Sequence, residues 1–366
     1  MYNIFITSYF CHLLWIGAFE MKTLMEQEIH AQSSVLEHTY RLNVEKIQTL
    51  ATLIKEKNIS YLTFAARGSS DNACLYFKYL CEIKTKYPVA FIHPSIITLY
   101  KGKVDYSNTV LICVSQSGQA YDIGKIVDIA NAQGALTVSI TNDLESPLAK
   151  KAMIHLFMGV EKERSIAATK TFTAEMLILK MLVAALENHN SKIPNSIGQL
   201  PQFIQQVLSL QPIIDSLADT LIEAKEVFVL TRGINLPIAR EIVCKLQETC
   251  YLNASSYPLS DFMHGPLALV TSDTQTIILS MDEQTRADTI EMISVLKSLG
   301  TKIMILTDSQ ELAKMSDYSL LLPSSDLDIA PFICAVAGQL LSCCLAIKRG
   351  INPDVSRNIK KVTLTK

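Results

Sequence analysis

The chain has 366 residues, 33 Lys+Arg against 35 Asp+Glu for a formal charge of -2, and 49% apolar against 19% charged side chains. That apolar content excludes a disordered, collagen-like or low-complexity chain, and at roughly 100–200 residues per domain there is room for two domains with proper cores. A near-neutral balance without a dense Lys/Arg block argues against nucleic acid as the main partner, because phosphate-backbone binding needs a basic footprint.

In chain order, residues 2–19 form an apolar stretch that carries Asn3, Ser8 and His12 and has no Lys or Arg ahead of it, unlike a signal peptide. Met21 opens the polar helical run Met21-Lys-Thr-Leu-Met-Glu-Gln-Glu, so residues 1–20 read as an untranslated extension and 21–57 as N-terminal helices. A first domain is expected over 58–187, with strands at 61–66, 109–114 and 136–141 and helices at 72–83 and 123–133. The polar segment Asn188-His-Asn-Ser-Lys-Ile-Pro-Asn opens a linker over 188–205, and a helical run follows to Ala224. A second domain over 206–350 carries strands at 227–230, 275–279 and 303–307 and helices at 237–249 and 287–299, and a tail fills 351–366. Residues 329–347 are long enough to span a bilayer, but Pro331, Gln339 and Ser342 mark a buried helix, so no membrane is expected.

The two halves echo each other. Phe64-Ala-Ala-Arg67-Gly68-Ser69 is matched by Val229-Leu-Thr-Arg232-Gly233-Ile234, and Val110-Leu-Ile-Cys-Val-Ser115 by Thr276-Ile-Ile-Leu-Ser280. Apolar runs without alternation, each followed by an amphipathic helix, mean parallel strands covered on both faces. The expected architecture is α/β, two tandem doubly wound parallel-sheet domains of flavodoxin-like type. The nine cysteines at 11, 74, 81, 113, 244, 250, 334, 343 and 344 show no CxxC and no ligand spacing, and read as reduced core thiols of a cytoplasmic protein.

In such sheets ligands sit beyond the carboxyl ends of the strands. In the first half these ends carry Arg67-Gly68-Ser69-Ser70-Asp71-Asn72 and Ser115-Gln116-Ser117-Gly118-Gln119, two hydroxyl-rich loops that open helices. Glycine allows close approach, and hydroxyls, free amides and the helix dipole all favour an anion, so a phosphate monoester is the expected ligand. The second half has Ser280-Met-Asp-Glu-Gln-Thr instead, acidic and without Gly, which should hold no phosphate. The absence of GxGxxG and GxxxxGK[ST] makes NAD and ATP poor candidates, and without HxxH, HExxH or a carboxylate cluster neither a metal nor another cofactor is expected.

With Ala167-Ala-Thr-Lys170-Thr-Phe-Thr, Lys245-Leu-Gln-Glu248 and His264-Gly-Pro-Leu-Ala-Leu269 added to those loops, the chain resembles the tandem sugar isomerase (SIS) domains of glucosamine-6-phosphate synthase, the glutamine-fructose-6-phosphate aminotransferase. The likeness runs from about Asn58 to Lys366. Met25-Glu-Gln-Glu, the Ala-Ala-Thr-Lys form of the middle motif, and Gly350-Ile-Asn-Pro-Asp with Lys360-Lys361-Val-Thr look closest to the shorter, isomerase-type glucosamine-6-phosphate deaminases. The synthase carries a glutaminase domain ahead of its SIS pair; nothing before Met21 corresponds to it.

The resemblance implies an enzyme that converts an aminosugar phosphate to fructose 6-phosphate and ammonia by aldose–ketose proton transfer. It implies His264 as ring-opening acid/base, Glu248 as proton carrier between C1 and C2, and Lys361, or its neighbour Lys360, at the ring oxygen or C2 nitrogen. Gly68, Ser69, Ser70, Ser115, Gln116, Ser117, Gly118, Ala167 and Lys245 would hold the phosphate and sugar. Glu248 and Lys245 are also spaced for an ordinary i,i+3 pair. The family places the His on a neighbouring subunit, which implies a homodimer with shared sites. Gln119-Ala120 in place of the family's x-Thr removes one phosphate hydroxyl, Ala168 replaces a Ser, and Ser255 replaces a Glu. The rival readings are an aminotransferase running the reaction in reverse, a sugar-amine-phosphate deglycase and a non-catalytic sugar-phosphate sensor.

Overall fold

The computed structural model describes residues 23–361, so the expectation for residues 1–20 and Cys11 lie outside the described residues. The chain opens with helices α1 (Leu24–His30) and α2 (Gln32–Glu56). The first half then runs β1 (Tyr61–Ala65), α3 (Ser69–Lys84), β2 (Val89–Phe91), α4 (Pro94–Thr98), β3 (Thr109–Val114), α5 (Tyr121–Ala132), β4 (Leu136–Thr141), α6 (Pro147–Lys151), β5 (Ile154–Phe157) and α7 (Lys170–Glu187). Helices α8 (Leu200–Leu208) and α9 (Gln211–Asp219) lead into the second half. It runs β6 (Glu226–Thr231), α10 (Leu236–Cys250), β7 (Asn253–Pro258), α11 (Leu259–Met263), β8 (Gln275–Ser280), α12 (Arg286–Ser298), β9 (Lys302–Thr307), α13 (Gln310–Met315), β10 (Tyr318–Leu321) and α14 (Ala330–Lys348).

Each half forms a five-stranded, wholly parallel sheet, in the orders β2-β1-β3-β4-β5 and β7-β6-β8-β9-β10. The duplication is visible in register: Tyr61 pairs with Thr109 as Val227 pairs with Gln275. Every residue of β3 and β4 is buried, which is why their Val, Leu and Ile runs show no alternation. The sequence suggested three strands per half, whereas the structure has five. The additional strands are all edge strands: β2, β5 and β10 have only three or four residues, and β7, Asn-Ala-Ser-Ser-Tyr-Pro, lacks an apolar run.

Two helices fill the interior: α7 is buried from Lys170 to Leu186 and α14 from Ala330 to Ala346. Helix α14 is long and apolar enough to cross a membrane by composition, yet 94% of its most apolar window is buried inside the protein, as the polar and small residues within it led us to expect. Helix α7 packs on α2 and α3, α14 on α9 and α10, and α10 packs directly on α3. One apolar cluster therefore runs through both halves, from Met25 to Ala346, and the α3–α10 contact brings second-half side chains to the first sheet's edge. The eight described cysteines are free, all buried except the half-buried Cys244.

Candidate active site

Ala65 at the end of β1 pairs with Cys113 near the end of β3, so the loops leaving these strands share one sheet edge. Gly68, with φ +57°, turns the chain into α3 and accepts hydrogen bonds on its carbonyl from the Asp71 and Asn72 amides. In the second loop the Gly118 amide donates to Ser115 Oγ at 3.2 Å, and the Gly118 carbonyl accepts from Leu148 N at 3.2 Å. Gly118 has φ +63°, and a Cβ there would stand 2.2 Å from Ser146 Oγ, so no other residue fits without displacing the α6 cap. The Ser115, Gln116 and Ser117 side chains are half-buried beside it.

Helix α10 carries Glu241, Lys245 and Glu248 on one face, the spacing at which helical side chains meet. Lys245 Nζ lies 3.2 Å from Glu241 Oε1 and 2.8 Å from Glu248 Oε2. Glu241 in turn accepts from Ser69 Oγ and from Asn72 Nδ2, both at 2.8 Å. Burial works against the Lys245 charge, but the two carboxylates outweigh it and hold its pKa well above the usual lysine value. Burial raises the pKa of Glu241, partly offset by Lys245 and Asn72. Glu248 keeps 24% of its side chain exposed while Lys245 keeps 1%, so a half-exposed carboxylate is held against a buried cation. Cys244 Sγ donates to Glu248 Oε1 at 3.4 Å, and burial pushes that thiol up to about 12.

Two further carboxylates complete the cluster. Glu175 on α7 lies 2.9 Å from Ser70 Oγ, and burial pushes its pKa up to about 8. Glu163, in the loop before α7, accepts from Thr169 N at 2.8 Å and pairs with Lys361 Nζ at 3.0 Å. Burial opposes its ionisation, yet Lys361 and the threonine donors hold its pKa below the usual carboxylate value. The tail that carries Lys361 is tied down on the way: Asp354 caps α1 through Leu24 N and Met25 N at 2.9 and 2.8 Å, and Arg357 lies 4.0 Å from the ring centre of Tyr251.

Of the residues singled out from sequence, the structure joins Ser69, Lys245 and Glu248 in one cluster and sets Ser70 against Glu175. Gly68, Ser115, Gln116, Ser117 and Gly118 lie along the same sheet edge. Ala167 is fully buried. Lys361 is half-buried and paired inward, whereas Lys360 is exposed. His264 is not drawn in: it is exposed at the end of α11, and its ring meets no hydrogen-bond or ion-pair partner among the described residues. Sequence reasoning passed over Glu163, Glu175 and Glu241. The available signals were Glu241 four residues before Lys245, and Glu175 as the one acid inside the apolar run from Phe172 to Leu186. Among the described residues no three His, Cys, Asp or Glu side chains are grouped to hold a metal ion.

The sequence pattern of the SIS domain matches residues 52–185 and again 220–349. The chain is 28% identical over 346 residues to the glutamine-fructose-6-phosphate aminotransferase (isomerizing) of Thermococcus kodakarensis, covering 92% of this chain and 57% of that one. It is 29% identical to the corresponding enzyme of Pyrococcus horikoshii, over 92% of this chain and 57% of that one. The chain thus spans a little over half the length of these curated relatives. Among solved structures, the C-terminal domain of glucosamine-fructose-6-phosphate aminotransferase from Francisella tularensis superposes with a TM-score of 0.80 at 24% identity, covering 91% of this chain and 98% of that one. A glucosamine-6-phosphate deaminase from Thermotoga maritima superposes with a TM-score of 0.72 at 22% identity, covering 94% and 100%. At these identities the two superpositions speak to the fold.

Proposed function

The chain belongs to the SIS domain family, and from that premise we propose that it is a sugar-phosphate isomerase that deaminates an aminosugar phosphate, converting glucosamine 6-phosphate and water to fructose 6-phosphate and ammonia. The observation that carries the reading is Glu248, a half-exposed carboxylate held over buried Lys245 and joined through Ser69 and Glu241 to the edge that carries the Ser115–Gly118 loop. In the proposed reaction the phosphate docks on Ser70, Ser115, Gln116 and Ser117. His264 of a second copy opens the pyranose, Glu248 takes the C2 proton and returns it to C1, and Lys361 sits near the ring oxygen or the nitrogen. Water adds to the resulting C2 imine and ammonia leaves.

An aminotransferase running the reaction in reverse would use the same residues, and the direction of flux separates the two readings. The test is ammonia release from glucosamine 6-phosphate and from galactosamine 6-phosphate, without glutamine, by the wild type and Glu248→Gln. Release from one sugar, reduced by about a hundredfold or more in the variant, is the expected result. No release from either sugar while fructose 6-phosphate still binds would move the assignment to a deglycase or a sensor.

A further inference from the structure

Glu175 stands in the middle of α7 with 1% of its surface exposed, and no step of the reaction proposed above uses it. Its Oε1 lies 2.9 Å from the hydroxyl of Ser70, in the first turn of α3. The titratable groups that act on it are Cys74 on α3, Glu241 on α10, Glu163 in the loop before α7, and Lys361 in the tail. The buried polar side chains that α2 contributes, Gln32, Thr39 and Asn43, are uncharged. Burial is the largest influence and two of the neighbours are carboxylates, which is why the Glu175 pKa is pushed up to about 8. At neutral pH the side chain is an acid with a hydrogen to give.

We propose that Glu175 is a positioning residue for the substrate: as the acid it shares its proton with Ser70 Oγ, which leaves the Ser70 hydrogen to point at a phosphate oxygen of the docked sugar. The inference rests on the reading of Ser70 as part of the phosphate site. A hydroxyl donates only once. Against an ionised Glu175 the Ser70 hydrogen is drawn to the carboxylate, and the phosphate meets an oxygen lone pair with a negative charge one hydrogen bond behind it. Docking is then a property of the acid form, and binding at alkaline pH draws one proton from the buffer onto Glu175.

Fructose 6-phosphate is the probe, because it has no amine to titrate and its phosphate, with a second pKa of about 6, is essentially fully ionised above about pH 7.5, where the alkaline limb is read. Calorimetric titration of the full chain between about pH 6.5 and 9.5, in buffers of different ionisation heat, should show affinity falling about tenfold per pH unit above the Glu175 range, with uptake approaching one proton. Glu175→Gln, which donates but never ionises, should bind with a flat profile and no uptake. Ser70→Ala should weaken binding at neutral pH and also flatten the profile, and it serves as the variant if Glu175→Gln does not fold. Affinity without pH dependence in the wild type, or an alkaline limb that persists in either variant, overturns the role of Glu175. Absence of fructose 6-phosphate binding at every pH sinks the phosphate-site reading itself, and this inference with it.

Discussion

The two sheets share strand order and register, but their carboxyl edges are furnished differently. On the first edge the turn after β3 is drawn tight by Gly118, its Ser and Gln side chains stand half-buried, and a face of α10 from the other half lines the α3 side with Glu241, Lys245 and Glu248. The second edge carries two local pairs, Arg232 with Asp288 at 2.8 Å and Arg286 with Asp308 at 3.2 Å. Both edges carry an Arg–Asp pair after the first strand, Arg67 with Asp122 and Arg232 with Asp288, so the difference lies in the Ser and Gly residues of the first edge and in the charged face that α10 adds beside it. A duplicated scaffold thus retains its packing in both copies while the loops at its two edges diverge, because packing depends on strands and core helices and the furnishing of an edge on a handful of loop and helix-face residues.

The largest expected effect tests whether the first edge depends on Glu241, whose hydrogen bonds from Ser69 and Asn72 cross between the halves. Glu241→Ala leaves Ser69 and Asn72 without their acceptor and Lys245 with one carboxylate in a buried site, which should destabilise by about 3 kcal/mol or more. Asp308→Ala on the second edge, whose Arg286 partner is a third exposed, should cost about 1 kcal/mol or less. Equal shifts in denaturant midpoint for the two variants would mean that the edges are not differently built.

Next in size is a pair of glycine substitutions. Gly118→Ala sets a Cβ 2.2 Å from Ser146 Oγ at a positive φ, so about 2–4 kcal/mol should be lost together with fructose 6-phosphate binding. At Gly233, also at positive φ, the nearest atom to a new Cβ is 3.8 Å away. Its alanine variant should lose about 1 kcal/mol and bind normally. Loss of binding in both would show that the second edge contributes to the site.

How far sequence carried this comparison follows from which features are local. The central strands were legible because six consecutive buried residues, as in Thr109–Val114, force an unbroken apolar run, and the buried helix Ala330–Lys348 announces itself by composition, whereas Lys170–Glu187 was not read as a helix. The edge strands were not, since Val89–Phe91 has three residues and Asn253–Pro258 is mostly polar. At the site, Gly118 and the Lys245–Glu248 spacing were readable in one dimension. Glu163 was not, because a carboxylate in a loop looks solvated until another element closes over it, and the spacing of Glu241 and the apolar surroundings of Glu175 were signals that went unused. Ser69 shows the converse: it read as a phosphate ligand, and its hydroxyl is engaged with Glu241 and Lys245.

A smaller effect concerns pH and stability. Glu175 has a folded pKa of about 8 against an ordinary value of 4.5. The native state therefore holds this proton more tightly than the unfolded chain, and the associated stability is complete below about pH 4.5 and lost as pH rises through about 8. Glu163 has the opposite sign: its pKa is lowered, so its contribution is present above the unfolded value and lost on acidification. Thermal melts of the wild type should fall by on the order of 5 °C between pH 5 and 8.5, and Glu175→Gln should remove most of that alkaline loss while leaving the acid limb in place. An unchanged alkaline limb in the variant would assign it to another group, with Glu241 the first to examine, since burial raises it too.

The smallest effect is the one expected to be almost nothing. Arg286 pairs with Asp308 across a partly open surface, and such pairs contribute about 0–1 kcal/mol. Arg286→Ala should therefore move the melting temperature by no more than about 2 °C and leave fructose 6-phosphate affinity and ammonia release within about twofold of wild type. The variant is informative because Arg286 is a cation on the second edge whose Nε is buried without a hydrogen-bond partner among the described residues while its terminal nitrogen holds Asp308. If sugar-phosphate binding fell by tenfold or more, that donor would be part of a working site, and the contrast between the two sheet edges would have to be abandoned.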